Sequence, residues 1–113
     1  MKSFYNLSDM TGRTAMITGA SGNLGKTISS TLAELGSNLI LVDQSTDDLE
    51  LLKQSIEKKW SVRCNTFTCD LEIQSSRTEL IQYVKKEKIP LNCLINNAAF
   101  VGTSNFDGWN GSF

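Results

Sequence analysis

Four short apolar runs are separated by stretches in which apolar residues recur at helical spacing. The run Thr14–Thr18 (TAMIT) ends in a glycine-rich segment and predicts a strand. Residues 26–35 place Ile28, Leu32 and Leu35 at i, i+4 and i+7, one face of a helix, and Gly36 is suited to close it as a left-handed cap. Asn38–Asp43 (NLILVD) is nearly continuous in apolar residues, the pattern of a strand covered on both faces. Ser45 and Asp48 read as a capping box for a second helix, on which Leu49, Leu52 and Ile56 repeat to about Lys59. Residues 61–69 are more polar and alternate, as an edge strand does. Residues 75–88 predict a third helix with Leu80, Ile81 and Val84 facing in, broken by Pro90 before a last strand at 91–95 (LNCLI).

The order βαβαβαβ predicts an α/β fold: a Rossmann-like, doubly wound parallel sheet joined by crossover helices, here incomplete, with about four strands and three helices. Residues 1–100 are expected to form this half-domain. Residues 101–113 change character, with three glycines and aromatic residues off any helical period, and read as a loop.

Charge narrows the partners. Eleven basic and twelve acidic residues give a net charge of −1, and no Lys/Arg cluster offers a field for nucleic acid. No run approaches the ~18 apolar residues of a membrane span, and the first ten residues lack the apolar core of a signal peptide, so the cytoplasm is the default address. Cys64, Cys69 and Cys93 form no CxxC pair and there is no histidine, so no metal site is expected. Each cysteine reads instead as a small buried apolar residue in or beside a strand.

The segment MITGASGNLG then stands out, with Gly19, Gly22 and Gly25 between a predicted strand and a predicted helix. A tight turn there needs a residue that tolerates positive φ, and a dinucleotide pyrophosphate needs close approach to the unpaired N–H groups at the helix start. Asp43 ends the second strand eighteen residues after Gly25, where such folds place an acid on the adenosine ribose. Its carboxylate accepts from both ribose hydroxyls and repels a 2′-phosphate, which favours NAD over NADP. A plain βα turn and a solvated aspartate are the non-functional alternatives.

Four segments in this order resemble the short-chain dehydrogenases/reductases: LSDMTGR at residues 7–13, TGASGNLG at 18–25, Cys69-Asp70-Leu71 after the third strand, and Asn96-Asn97-Ala98-Ala99 after the fourth. The resemblance implies strand order 3-2-1-4 and a dinucleotide cradle made by Gly19, Ser21, Gly22, Asn23, Leu24 and Gly25. It implies that Asp43 takes the ribose, and that Asp70 and the Leu71 backbone take the adenine. Asn97, Ala98 and Ala99 would run under the ribose, and Asn96 would tie the fourth strand into the sheet. Asp70 alternatively caps the third helix. Two departures accompany the match: Asn23 stands where the compact members carry glycine, and Asn97-Ala98-Ala99 replaces the usual Asn-Ala-Gly.

The family transfers hydride between a nicotinamide and a carbonyl or alcohol with a Tyr-x-x-x-Lys pair on one helix face. Here Asp9 follows Tyr5 by four residues and Glu87 follows Tyr83 by four, so the chain offers no catalytic residue. It resembles the cofactor half of an NAD-dependent oxidoreductase acting on small molecules. The competing reading is a non-catalytic NAD-binding sensor or scaffold, and a third is a structural domain that binds nothing. A fourth strand without its own neighbour would leave a bare edge and face, so a fragment that self-associates is expected, as is a homo-oligomer for the whole protein.

Overall fold

The structure is a computed structural model and describes residues 9–98. Its elements are β1 (Thr14–Thr18), α1 (Asn23–Glu34), β2 (Asn38–Asp43), α2 (Thr46–Lys59), β3 (Cys64–Thr68), α3 (Gln74–Lys86) and β4 (Cys93–Asn96). The four strands form one parallel sheet in the order β3-β2-β1-β4. The predicted residues 99–113, including the loop and Ala99, lie outside the described part.

Alternation along the strands sorts the core into two layers. Ala15, Ile17, Leu39, Leu41 and Cys64 meet α1 and α2 through Ala33, Leu49, Leu52 and Ile56. Met16, Ile40 and Val42 face the other way, onto Leu80 and Val84 of α3. All five residues of β1 and the central four of β2 are buried, as strands covered on both faces must be. The side of β4 is less well covered: Leu94 keeps 59% of its surface exposed and Ile81 keeps 56%.

Ile81 therefore does not face the core. It follows Leu80 by one residue, about 100° around the helix, and among the described residues the one helix on this face buries only the Leu80–Val84 stripe. Cys64 and Cys69 are buried as expected, whereas Cys93 is only half-buried on the outer strand β4.

Element ends depart from the sequence pattern for local reasons. Helix α1 starts at Asn23, not 26, because the end of the glycine segment is already helical. Strand β3 starts at Cys64, since the Val62 N–H turns back onto the Trp60 carbonyl (3.0 Å). Strand β4 begins at Cys93, after Asn92 has tied its side chain and N–H to the Thr14 backbone (both 2.9 Å). Helix α3 stops at Lys86, and Lys88, at φ 52°, makes the left-handed exit ahead of Pro90. Gly36 closes α1 at φ 97°, with the Ser37 N–H reaching back to Leu32. Ser45 caps α2, its hydroxyl accepting from the Asp48 N–H (3.2 Å).

Candidate functional site

The parallel register brings Thr18, Asp43, Thr68 and Asn96 to the carboxyl edge of the sheet. Helices leave that edge toward opposite faces on either side of β1, so a crevice opens between β1 and β4. A cavity of about 540 Å³ lies there, lined among others by Gly19, Asp43, Leu71, Leu94 and Ala98.

The three glycines of the loop have three different reasons to be glycine. Gly19 takes φ 65°, and a Cβ on it would stand 3.1 Å from the Ala98 backbone. Gly25, inside α1, would put a Cβ 2.1 Å from the Gly19 carbonyl oxygen, so only glycine lets the helix approach the strand this closely. Gly22 is under neither constraint: its φ of −73° suits any residue, and a Cβ would meet only the Gly19 oxygen at 3.5 Å. It is the N-cap of α1, and neither a side-chain cap nor an acidic residue covers that first turn. The positive end of the helix is thus left open to an anion. Asn23 and Leu24 are exposed on the same turn.

Asp43 is drawn toward this loop. Its Oδ2 accepts from the Ser21 N–H (3.0 Å) and hydroxyl (2.5 Å), and its Oδ1 from the Gln44 N–H (2.8 Å). The carboxylate lines the cavity and stays half-buried.

On the other side Thr18 organises the β4 end. Its hydroxyl donates to Asn96 Oδ1 (3.0 Å) and accepts from the N–H groups of Asn97 (3.0 Å) and Ala98 (3.1 Å). Asn97 also donates from Nδ2 to the Gly19 carbonyl (3.3 Å). Asn96 is thereby tied to β1, and Ala98 reaches the cavity wall. Thr18 is a residue that sequence reasoning missed. Its only signal was a hydroxyl at the last position of a buried strand, where it needs partners.

Asp70 does not cap α3, whose N-cap is Ile73. Its Oδ1 accepts from the Glu72 N–H (3.0 Å) and its carbonyl from the Ile73 N–H (3.0 Å), a turn closed on itself. Cys69 and Leu71, its two neighbours in the chain, line the cavity, and Asp70 itself is half-buried between them. Tyr83 packs its ring against Phe67, with centroids 5.0 Å apart, and is a packing residue of α3. Among the described residues no helix is long and apolar enough to cross a membrane.

Comparison with known proteins agrees with this geometry. The family profile described as short chain dehydrogenase matches residues 13–110. The chain is 34% identical over 87 residues to a fatty acyl-CoA reductase of Acinetobacter baylyi, covering 77% of this chain and 29% of that protein. Among solved structures it resembles an NAD+-bound xylitol dehydrogenase (27% identity, TM-score 0.75), covering 80% of this chain and 35% of the other. It shares its fold with the L-sorbose reductase of Gluconobacter frateurii, solved with NADPH and L-sorbose (23% identity, TM-score 0.78, 90% of this chain and 41% of the other). The chain therefore spans about a third of the length of the proteins it matches. With the glycine loop, the parallel 3-2-1-4 sheet and the profile match in agreement, the chain belongs to the short-chain dehydrogenase family.

Proposed function

We propose that this chain is the adenosine- and pyrophosphate-binding part of an NAD-dependent oxidoreductase. When bound, the cofactor supplies a hydride acceptor or donor for an alcohol or carbonyl. The residues in hand do something narrower. The open first turn of α1, with Gly19, Ser21, Gly22, Asn23, Leu24 and Gly25, cradles the diphosphate. Asp43 holds the ribose hydroxyls, and Asn97 and Ala98 run beneath the sugar.

The observation that carries this reading is Gly22. Neither its backbone conformation nor its neighbours call for glycine, yet it caps a helix whose first turn has no acidic partner. A phosphate resting on that turn accounts for a missing side chain that the fold itself does not need. Asp43 sets the choice between cofactors, because its carboxylate lies where a 2′-phosphate would crowd a second negative charge against it.

No Tyr-x-x-x-Lys occurs in the 113 residues, so the reading of these residues stops at holding the cofactor. Titration of the chain with NADH tests the assignment. Saturable binding that weakens at least tenfold in Asp43→Ala, with the fold intact by circular dichroism, is the expected result. Binding indifferent to this change, or no binding at all, would overturn the assignment.

A further inference from the structure

We propose that Ser76 and Arg77, neighbours at the start of α3, are positioning residues that hold the β3–α3 loop as a reader of the adenine ring. The proposal rests on the dinucleotide reading above and on the adenine contact that the family resemblance implies for Asp70 and Leu71, and adds to them the restraint that holds that contact in place. Ser76 Oγ accepts from the Asp70 N–H (3.0 Å) and its hydroxyl leans on Cys69 Sγ (3.4 Å). The Arg77 guanidinium donates to the Leu71 carbonyl, and Arg77, like Leu71, lines the cavity. Together with the turn through Glu72 and Ile73, these contacts occupy the Asp70 N–H, carbonyl and Oδ1, and the Leu71 carbonyl.

Two groups of the Asp70–Leu71 pair remain without a partner among the described residues: Asp70 Oδ2, an acceptor, and the Leu71 N–H, a donor. One acceptor beside one donor complements the adenine edge, whose 6-amino group donates and whose N1 accepts. The pair can read that edge only if its backbone stays in one orientation. The loop has no strand or helix of its own to fix it, and the bonds from Ser76 and Arg77 supply that restraint. The arginine bond is charge-assisted and can bear on an exposed loop where a neutral contact would be displaced by water.

The hypoxanthine analogue of NADH provides the test, because its 6-oxo group accepts and its N1 donates, reversing both polarities. Binding of NADH and of the analogue is measured for the chain and for Arg77→Met, Ser76→Ala and Arg77→Lys. The wild-type chain is expected to favour NADH by about tenfold or more. In Arg77→Met the preference falls to within about threefold while affinity for the analogue is unchanged, and Arg77→Lys retains most of the preference. Ser76→Ala, which removes the other arm, moves in the same direction. Equal weakening of both ligands, or an undiminished preference in both Arg77→Met and Ser76→Ala, would overturn the proposal. A wild-type chain that binds the two alike would remove the adenine reader and leave the diphosphate site standing. One that binds neither would remove the site and the reader together.

Discussion

One oxygen of Asp43, Oδ2, accepts both the backbone N–H and the hydroxyl of Ser21, so the end of β2 is latched onto the glycine loop that follows β1. This contact spans two loops separated by a whole helix and fixes the carboxylate at the cavity rim. On the proposed dinucleotide reading, a charge held there would be unable to swing away from a 2′-phosphate.

The cofactor preference should therefore follow the charge. Asp43→Asn keeps the size and one acceptor oxygen but removes the repulsion. NADH is expected to bind the wild-type chain at least tenfold more tightly than NADPH, and the variant should narrow that ratio to a few-fold. Parallel titrations with the two cofactors measure it, and an unchanged ratio would assign the preference elsewhere.

Gly22 and Gly25 should separate binding from folding. Gly25→Ala drives a methyl into the Gly19 carbonyl, where the contact would be 2.1 Å, and the helix must shift off the strand. A loss of about 3 kcal/mol or more in urea unfolding is expected, at the upper end of overpacking costs. Gly22→Ser has room for its side chain and places a favoured residue at the N-cap, so stability should hold or rise by a few tenths of a kcal/mol. Dinucleotide affinity should nevertheless drop at least tenfold.

Thr18→Val keeps the shape of a buried residue and deletes its hydroxyl. The Asn97 and Ala98 N–H groups and Asn96 Oδ1 then lose a common partner. The expected cost is about 2 kcal/mol, since polar groups left unsatisfied lose more than a hydrogen bond is worth in water. Thr18→Ser, which restores the hydroxyl, should recover most of it in the same unfolding assay.

How much of this was legible beforehand depends on the range over which each feature is encoded. Strands β1 and β2 were read to the residue because their apolar runs are bounded by polar and glycine-rich segments a few positions away. The glycine loop and Asp43 stand out as a candidate site for a similar reason: their spacing along the chain is itself the signal. Thr18, Ser76 and Arg77 left no such trace. Thr18 works with residues 78 to 80 positions away, and no periodicity relates them. Ile81 was misread because helical spacing marks a stripe without saying how wide a face the neighbours cover, and α3 buries only Leu80 and half-buries Val84. For Asp70, sequence left a cap and a ligand contact open. The turn it makes with Glu72 and Ile73 rules out the cap.

Cys64 should make stability fall at high pH. Burial first, and then the nearby Glu57 carboxylate, raise its thiol pKa to about 12 in the folded chain, against an ordinary value near 9. Between those values the unfolded chain releases the proton and the folded chain keeps it, so the unfolded state binds fewer protons and stability declines as pH rises. The slope approaches about 1.4 kcal/mol per pH unit from this group alone. Unfolding free energies measured from pH 8 to 10.5 should show it, and Cys64→Ala should remove that component. At pH 8 a thiol reagent should modify the half-buried Cys93 before Cys64 or Cys69.

Ser29 offers the opposite kind of change, a gain. It is fully buried on the inner face of α1, between Gly25 and Ala33, and its hydroxyl has no hydrogen-bond partner among the described residues. A buried hydroxyl without a partner carries its desolvation cost uncompensated, and serine is also a poorer helix former than alanine. Ser29→Ala removes the polar atom without adding volume, so the neighbouring strand need not move. Stability should rise by about 1 kcal/mol, read as a higher urea midpoint at unchanged slope. Dinucleotide affinity should stay the same, because the residue lies nearly two turns inside the helix, away from the open N-terminus. A loss of stability instead would mean that the hydroxyl has a partner in solution and that α1 sits on the sheet differently from the geometry described here.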